Sequence, residues 1–295
     1  MTFKGSNNGP IVIGGVGGSG TRVVAEILAL FGLFIGCDLN VASDNLWFTL
    51  LFKRSRWYFK NRTDDKEINT GISLLHKLMV TRDRLTLGES LFLLQAVAEM
   101  TLRGHNHLGD GKNLWPFARI RKMISSVGVG ERDYIGWGWK EPNSHLLISN
   151  LADYFPDFKY IHLIRHGLDM AFSNNQQQLF NWGHLFGVEL PDDKSKIPSA
   201  SFSYWVRAND TVMKIGEKLG NSKFLLINYD KLCDSPINEI KKITNFIGIT
   251  VDEDLISIAG SLVCKPYTVQ RYKSHDLSQF NCKELSTLER FGFSV

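Results

Sequence analysis

Residues 10–30 have the sequence PIVIGGVGGSGTRVVAEILAL. The apolar run at residues 11–13 predicts a buried parallel strand, and the apolar residues that follow Thr21 at helical spacing predict a helix. Five glycines lie between these two segments. Glycine lets the backbone approach a ligand, and the free N–H groups at the start of a helix attract anions. The stretch therefore predicts a phosphate-binding loop, whereas an ordinary strand-to-helix turn would need fewer glycines.

The glycine spacing is compatible with more than one kind of phosphate-binding loop. A Walker A loop requires the pattern Gly-x-x-x-x-Gly-Lys-Ser/Thr. Gly15 and Gly20 have the required spacing, but Thr21 and Arg22 stand where the lysine and the hydroxyl residue belong. The missing lysine argues against a nucleotide kinase.

Two other loop types fit the same residues. The dinucleotide fingerprint Gly-x-Gly-x-x-Gly is matched by Gly15, Gly17 and Gly20, and Asp38 follows Gly20 by eighteen positions, close to where a ribose-binding acid would stand. The other type is the Ser-Gly-Thr loop of sulfotransferases, in which residues 19–21 would hold the 5′-phosphate of a sulfate donor. This loop alone does not choose between a Rossmann-type dinucleotide-binding protein and a sulfotransferase.

Length and charge predict a single α/β domain with a small anionic ligand. The 295 residues, of which 43% are hydrophobic and 22% charged, suffice for one large globular domain over residues 1–295 with an inserted helical part. The net charge of +4 suits a small anion and is too weak to indicate a nucleic-acid partner.

Several features predict a cytoplasmic protein without a membrane span. The most apolar stretch, residues 23–36, contains Glu26 and falls short of the roughly 20 residues that a membrane helix needs. Residues 1–9 are polar and contain no apolar signal core. The four cysteines include no Cys-x-x-Cys pair, which predicts buried free thiols in a reducing compartment. No cluster of metal-ligating residues stands out, so we expect no metal.

Apolar periodicity predicts a helical insertion at about residues 44–130. Four helices are predicted to begin near Leu46, Ile72, Leu91 and Leu114. An insertion of this kind is the usual place for acceptor specificity. The first predicted helix carries a basic run that would suit an acidic acceptor but is more typical of a solvated helix face. The run consists of Lys53, Arg54, Arg56, Lys60 and Arg62.

Polar residues follow the short extended segment that begins at Leu33. They include Asp38 and Asp44. In a parallel α/β domain, residues beyond the carboxyl end of a strand face the ligand crevice, so either carboxylate is a candidate general base. The alternative is that Asp44 caps the next helix and Asp38 is a turn residue.

Cationic residues stand at the ends of two further predicted strands. Lys140 ends an aromatic-rich strand, and Arg165 directly follows an apolar strand at residues 160–164. A helix is predicted to start near Gly167, and Ser173 lies eight residues after Arg165. A guanidinium clamps a phosphate with two parallel hydrogen bonds, and a hydroxyl can complete the set of donors. A dinucleotide fold has no need of this second anion site, whereas a donor with phosphates at its 3′ and 5′ positions requires one.

Four stretches, in this order, resemble the PAPS-dependent sulfotransferase family, with motifs nearest to those of bacterial and tyrosylprotein sulfotransferases. They are residues 18–21 (GSGT), 139–142 (WKEP), 163–173 (LIRHGLDMAFS) and 225–232 (LLINYDKL). Residues 270–273 (QRYK) resemble the family's basic tail. The resemblance implies a three-layer α/β fold with a central parallel sheet, the P-loop-NTPase-like fold of sulfotransferases.

The resemblance also implies an activity. A sulfuryl group would pass in line, without a metal, from 3′-phosphoadenosine 5′-phosphosulfate (PAPS) to a hydroxyl or amine. The acceptor would be a carbohydrate, a peptide or a small molecule, and the product of the donor would be the 3′,5′-bisphosphate PAP.

Individual residues acquire roles through the same resemblance. The 5′-phosphate would lie in the loop formed by Gly17, Gly18, Ser19, Gly20, Thr21 and Arg22. Arg165 and Ser173 would hold the 3′-phosphate, with Tyr229, Arg271 and Lys273 as further donor contacts. Lys140 would stabilise the transition state, and Asp38 or Asp44 would deprotonate the acceptor.

Gly18 departs from the family pattern. Most members carry Lys or Arg directly before Ser-Gly-Thr, where the cation stabilises the bridging oxygen of the leaving group. Negative charge builds on the departing bisphosphate, so another cation should replace the missing one. Arg22 and Lys140 are the candidates. If neither reaches the donor, the chain would be a nucleotide-binding regulator without turnover.

Overall fold

A parallel sheet organises the chain. The computed structural model describes residues 9–81, 83–103, 114–125 and 134–294. Within these residues the strands are β1 (Ile11–Gly15), β2 (Leu33–Phe34), β3 (Gly136–Lys140), β4 (Lys159–Ile164) and β5 (Phe224–Asn228). They pair in the order β2-β3-β1-β4-β5, and every pairing is parallel.

Helices connect the strands. Those of the amino-terminal half are α1 (Thr21–Leu30), α2 (Leu46–Phe52), α3 (Ser55–Asn61), α4 (Asp65–His76), α5 (Leu87–Arg103) and α6 (Trp115–Ser125). Those of the carboxyl-terminal half are α7 (Ile148–Tyr154), α8 (Gly167–Ala171), α9 (Gln177–Trp182), α10 (Ile197–Leu219), α11 (Tyr229–Asp234), α12 (Pro236–Ile247), α13 (Glu253–Ser261) and α14 (Cys282–Arg290). A π-helical turn covers Lys77–Thr81, and 3₁₀ turns cover Pro142–Leu147, Gly183–Phe186, Lys194–Lys196 and Arg271–Ser274.

Side chains alternate between the two faces of the sheet, and helices bury both faces. Val12 of β1 and its register partners Trp139 and Tyr160 belong to one core, which also contains α2, α4 and α5. Ile11 and Ile13 point to the opposite core, which contains α1, α12 and α13. The predicted α/β fold, a central parallel sheet with helices on both sides, is confirmed.

Helices α2 to α6 lie between β2 and β3, where the sequence predicts the helical insertion. The first predicted helix is wrong as a single element, because it breaks into α2 and α3 after Phe52. Arg54 causes the break: its backbone is extended (φ −118, ψ 88), and its buried guanidinium donates to Leu51 O at 2.9 Å and stacks over Trp57 at 4.2 Å. The interpretation of the whole basic run as a solvated face is therefore also wrong.

The carboxyl ends of the strands lie together at one edge of the sheet. Residues 16–20 follow β1 there, Glu141 follows β3, Arg165 follows β4 and Tyr229 follows β5. Because parallel strands deliver their following loops to the same edge, the predicted donor-binding stretches converge.

Two expectations about the environment can be compared with the structure. None of the helices built from the described residues is long and apolar enough to cross a membrane. Cys37 and Cys233 are half-buried and Cys264 and Cys282 are exposed, so the expectation of buried thiols is wrong. These cysteines lie in loops and on helix surfaces, and Cys37 and Cys233 pack against the outside of the cores.

Candidate active site

The loop at residues 16–20 has the backbone geometry of an anion cradle. Gly17 and Gly20 have positive φ angles, 71° and 84°. A Cβ atom would lie 1.9 Å from Met170 Cε at the first position and 2.1 Å from the ring of Tyr229 at the second, so only glycine fits at either. Helix α1 begins without a side-chain cap and without an acidic residue in its first turn. Its first N–H groups therefore present a positive end to a ligand.

The side chain of Ser19 packs into the protein rather than outward from the loop. Ser19 is fully buried, and a Cβ atom on Gly15 would lie 2.2 Å from its Oγ, so the hydroxyl packs against the end of β1. Its Oγ has no hydrogen-bond partner among the residues that the structure describes. Ser19 would therefore contribute to an anion site through its backbone.

A cavity of about 360 Å³ opens beside the loop. The loop and the start of α1 contribute Gly17, Gly18, Gly20, Thr21 and Arg22 to its lining, and the remaining lining residues are Ala42, Asp44, Lys53, Lys140, Glu141, Pro142, Asn143, Asn175, Gln177 and Gln178. The cavity thus brings three predicted site regions together: the loop, Asp44 and Lys140.

Lys140 and Asp44 form an ion pair in this cavity. The ammonium of Lys140 donates to Asp44 Oδ1 and, at 2.9 Å, to the carbonyl oxygen of Ala42. Asp44 Oδ2 accepts from Asn40 Nδ2 at 2.9 Å. Lys140 is almost fully buried, whereas the Asp44 carboxylate remains partly accessible. The pair places a carboxylate with a fixed orientation at the wall of the cavity.

Asp38 lies elsewhere. Its buried carboxylate pairs with Arg119 Nε at 2.7 Å and with Lys122 Nζ at 2.8 Å, both from α6. It is absent from the lining of the loop cavity. The structure therefore separates the two candidate bases, and of the two only Asp44 lines the loop cavity.

The cations around the cavity differ in what they contact. Arg22 is exposed and lies 3.5 Å from Glu26 Oε1, one turn further along α1. Lys53, the residue that ends α2, lines the cavity and makes no side-chain hydrogen bond or ion pair within the described part of the chain. The sequence favours a solvated helix face for Lys53, whereas in the fold it lines the cavity together with Lys140.

A buried polar network connects β3 to the loop. Both oxygens of Glu141 accept from Asn143, at 2.6 Å from its backbone N and 2.8 Å from Nδ2. Asn143 Oδ1 accepts from Trp182 Nε1 at 2.8 Å and from Gln178 Nε2 at 3.2 Å. Gln178 Oε1 in turn accepts the backbone N–H of Gly17 at 2.5 Å. Nothing in the sequence around Gln178 indicated this role.

Burial raises the pKa of Glu141 from 4.5 to about 7, and the carboxylate of Asp44 adds to the rise. Lys53 and the hydrogen bonds from Asn143 oppose it. Lys53 and Glu141 line the same cavity, so the positive charge of Lys53 acts on this carboxyl group. Glu141 follows Lys140 in the WKEP stretch, which is the signal that would have identified it as a site residue.

Arg165 lies on the other side of the loop, and its guanidinium already makes hydrogen bonds to other residues of the protein. Its Nη2 donates to Asp169 Oδ2 at 3.1 Å and to the backbone and side-chain oxygens of Thr268, and Nη1 lies 3.5 Å from the carbonyl oxygen of Gly18. Ser173 Oγ accepts the N–H of Asn175 at 3.2 Å. Neither Arg165 nor Ser173 lines the loop cavity.

The remaining predicted donor contacts surround Arg165. The ring of Tyr229 lies 5.7 Å from the guanidinium carbon of Arg165, and burial raises the pKa of the Tyr229 hydroxyl to about 12. Arg271 Nε donates to Thr268 O at 3.3 Å. Lys273 is exposed and lines a separate cavity of about 250 Å³. The structure thus brings Arg165, Tyr229 and Arg271 together and leaves Lys273 apart from the loop.

A family model described as the sulfotransferase family matches residues 10–253 of the chain. No curated protein sequence matches this chain.

Solved sulfotransferase structures are similar to the whole chain. The sulfotransferase domain from the curacin biosynthetic pathway has a TM-score of 0.52 and 11% sequence identity over 98% of this chain and 99% of that one. The sulfotransferase STF9 from Mycobacterium avium has a TM-score of 0.48 and 15% identity over 97% of this chain and 76% of that one. At this level of identity, the first of these similarities indicates a shared fold.

Proposed function

The chain belongs to the sulfotransferase family, and from this premise we propose that its sulfuryl donor is PAPS and that its acceptor is a hydroxyl or amine of a carbohydrate, a peptide or a small molecule. The chain is a transferase enzyme. The predicted sulfotransferase activity is confirmed, and the alternatives of a dinucleotide-binding protein and a regulator without turnover are set aside.

The observation that carries the PAPS proposal is the loop at residues 16–20 opening onto the cavity with the Lys140–Asp44 pair. The cradle fits a 5′-phosphosulfate because Gly17 and Gly20 exclude side chains and α1 presents uncapped N–H groups. In the reaction, the acceptor oxygen or nitrogen bonds to sulfur while the bond from sulfur to the bridging oxygen of the 5′-phosphate breaks. The electron pair stays on that oxygen, and the acceptor proton passes to a base.

Asp44 is the base in this proposal, and Asp38 is not. Asp44 lines the cavity with an accessible carboxylate, whereas both oxygens of Asp38 are engaged by Arg119 and Lys122. Lys140 holds the Asp44 carboxylate in a fixed orientation, since its ammonium lies directly against Oδ1. A carboxylate held in this way is positioned for general-base catalysis.

The 3′-phosphate would bind on the other side of the loop. Arg165 and Ser173 are its proposed ligands, with Tyr229 and Arg271 beside them. In this arrangement Arg165 exchanges some of its bonds to Thr268 for bonds to the phosphate, because a guanidinium binds phosphate through two parallel hydrogen bonds. Lys273 would contact the donor only from the periphery.

We further propose that residues 1–295 form one domain, that the insertion at about 44–130 selects the acceptor, and that the protein acts in the cytoplasm. Asn45 and α2 carry the insertion directly to the cavity, because Lys53 and Asp44 flank that helix.

The test of the donor proposal combines turnover with selective binding. The protein should consume labelled PAPS in the presence of a suitable acceptor panel and bind PAP by calorimetry. Ser173→Ala and Arg165→Ala should weaken PAP by roughly tenfold to a hundredfold and leave adenosine 5′-phosphate almost unchanged, because each loses a hydrogen bond to the charged 3′-phosphate.

Arg290→Ala is the control for that experiment, since Arg290 forms an exposed pair with Asp210 and neither residue lines the loop cavity. Equal losses for both nucleotides would remove Arg165 and Ser173 from the 3′ site. Binding of NAD without competition by PAP would overturn the donor assignment itself.

A further inference from the structure

The position of Gly18 leaves the loop without its own cation. In the proposed transfer, the bridging oxygen of the 5′-phosphate gains negative charge as its bond to sulfur breaks, and stabilising that charge is worth a large part of the rate. A Cβ atom on Gly18 would meet no atom within 4 Å, and its φ lies outside the left-handed region. The loop thus has space for a cationic side chain at residue 18 that this chain does not supply.

Three cationic side chains line the cavity, and they differ in their availability. The ammonium of Lys140 already donates to Asp44 and to Ala42 O. Arg22 is exposed, and its guanidinium lies toward Glu26. A cation whose hydrogen bonds are used by the protein, or whose charge is screened by water, adds less to a new anion.

Lys53 is the third cation, and it projects from a rigid support. Helix α2 is buried over its whole length and is capped by Asn45, whose side chain accepts from the N–H groups of Trp47 and Phe48. The N–H of Lys53 closes the helix on Thr49 O at 3.0 Å. Arg54 then turns the chain away into the core, so the Lys53 side chain is left at the cavity wall.

We propose that Lys53 replaces the missing loop cation and stabilises the charge that develops on the 5′-phosphate. This inference rests on the proposed donor. It assigns to α2 a catalytic residue that the loop lacks, and it leaves Lys140 with the task of holding Asp44. Lys53 lines the same cavity as Gly18 and Glu141, so its side chain borders the space that a 5′-phosphate would enter.

Binding provides a readout that does not depend on turnover. PAP carries the 5′-phosphate that the reaction releases, and adenosine 3′-phosphate lacks it. Lys53→Met keeps most of the aliphatic stem and removes the charge, so we expect PAP to bind roughly tenfold to a hundredfold more weakly and adenosine 3′-phosphate to bind as before. The pattern is the reverse of that expected for Arg165→Ala, which removes a contact to the 3′ end.

Turnover gives the second readout. Lys53→Met should lower kcat by about a hundredfold on an acceptor that the wild-type protein sulfates, whereas Lys53→Arg should retain most of the rate. Gly18→Lys in the Lys53→Met background should recover part of both kcat and PAP affinity, because it returns a cation to the open position. Lys60→Ala is the matched control from the same basic run, since Lys60 is exposed and does not line the cavity.

The outcomes separate this inference from the donor proposal. If the wild-type protein binds PAP and Lys53→Met binds PAP equally well with unchanged kcat, Lys53 has no such role and the donor proposal stands. If Arg22→Ala or Lys140→Ala alone causes the selective loss of PAP over adenosine 3′-phosphate, that residue replaces the loop cation instead. If the wild-type protein binds no PAP at all, the donor proposal fails first.

Discussion

In the loop half of the proposed donor site, residues 16–22 with Lys53, a cavity stays open and at least one cation has no protein partner within the described residues. In the arginine half, residues 165–173 with Thr268, the guanidinium is almost fully buried and shares its hydrogen bonds among Asp169, Thr268 and Gly18. One half is thus arranged for a ligand, while the other half is closed by contacts within the protein.

This difference indicates that Arg165 has a structural task beside its proposed ligand. Asp169 accepts from Arg165 and also from the backbone N–H groups of Gln270 and Tyr272. The ion pair therefore fastens the segment at residues 268–272 over the end of β4. In the loop half no comparable task is assigned to Lys53, so the two cations should respond differently to removal.

The largest expected effect is on stability, in the arginine half. Arg165→Ala leaves the fully buried Asp169 carboxylate without its counter-charge, and breaking such a pair costs about 3–5 kcal/mol. We expect urea denaturation to show a loss of that order in the free energy of unfolding. Lys53→Met, in the loop half, should change it by less than about 1 kcal/mol.

Arg290→Ala is a matched control for this stability measurement, because Arg290 and Asp210 also form an ion pair at 3.1 Å but on the surface. Exposed pairs contribute about 0–1 kcal/mol. A similar small loss for Arg165→Ala would mean that the arginine half is not held by its ion pair, and the contrast between the two halves would then lose its basis.

A second prediction concerns pH and the buried carboxylate of the loop half. The pKa of Glu141 rises from 4.5 to about 7 on folding, so the folded state favours the protonated form. The stability that this protonation contributes is fully present below pH 4.5 and is lost as the pH rises through about 7. Glu141→Gln removes the titration, so its stability relative to wild type should improve by roughly 2–3 kcal/mol between about pH 4.5 and pH 8.

The measurement is the difference in unfolding free energy between the two proteins at each pH, since that difference cancels the other titrating groups. Gln loses one of the two hydrogen bonds that Glu141 accepts from Asn143, which offsets the curve without changing its slope. A difference that does not vary with pH would show that the pKa of Glu141 is not raised in the folded protein. Water would then reach this carboxyl group more easily than its burial indicates.

The features that could be predicted from the sequence are those encoded by neighbouring residues. The glycine spacing and the apolar periods around residues 11–30 are local, and they identified β1, the loop and α1. Arg165 was recognisable because it directly follows an apolar strand. Lys140 was recognisable because it ends a predicted strand. The parallel sheet then brings the loop, Arg165 and Lys140 to one edge.

The features that could not be predicted depend on contacts between distant parts of the chain. Asp38 and Asp44 are equivalent in the sequence, and only the position of Arg119 and Lys122 on α6 removes Asp38 from the site. Arg54 and Lys53 belong to the same basic run, but one is buried in the core and the other lines the cavity. A local pattern carries no information about which distant partner a charge will meet.

The smallest expected effect concerns Gln178, whose side chain lines the loop cavity and accepts a hydrogen bond from the backbone N–H of Gly17. Its Oε1 holds the N–H of Gly17 at 2.5 Å, so a 5′-phosphate has to displace it to use that donor. A neutral hydrogen bond contributes about 1 kcal/mol, so Gln178→Ala should tighten PAP binding by up to roughly fivefold and leave adenosine 3′-phosphate unchanged.

Gln177→Ala is the matched control, because Gln177 lines the same cavity without a hydrogen bond to the loop among the described residues. Calorimetry that showed weaker PAP binding for Gln178→Ala would instead mean that the Asn143–Gln178 contact orders the loop, and the loop half would then depend on contacts within the protein as the arginine half does.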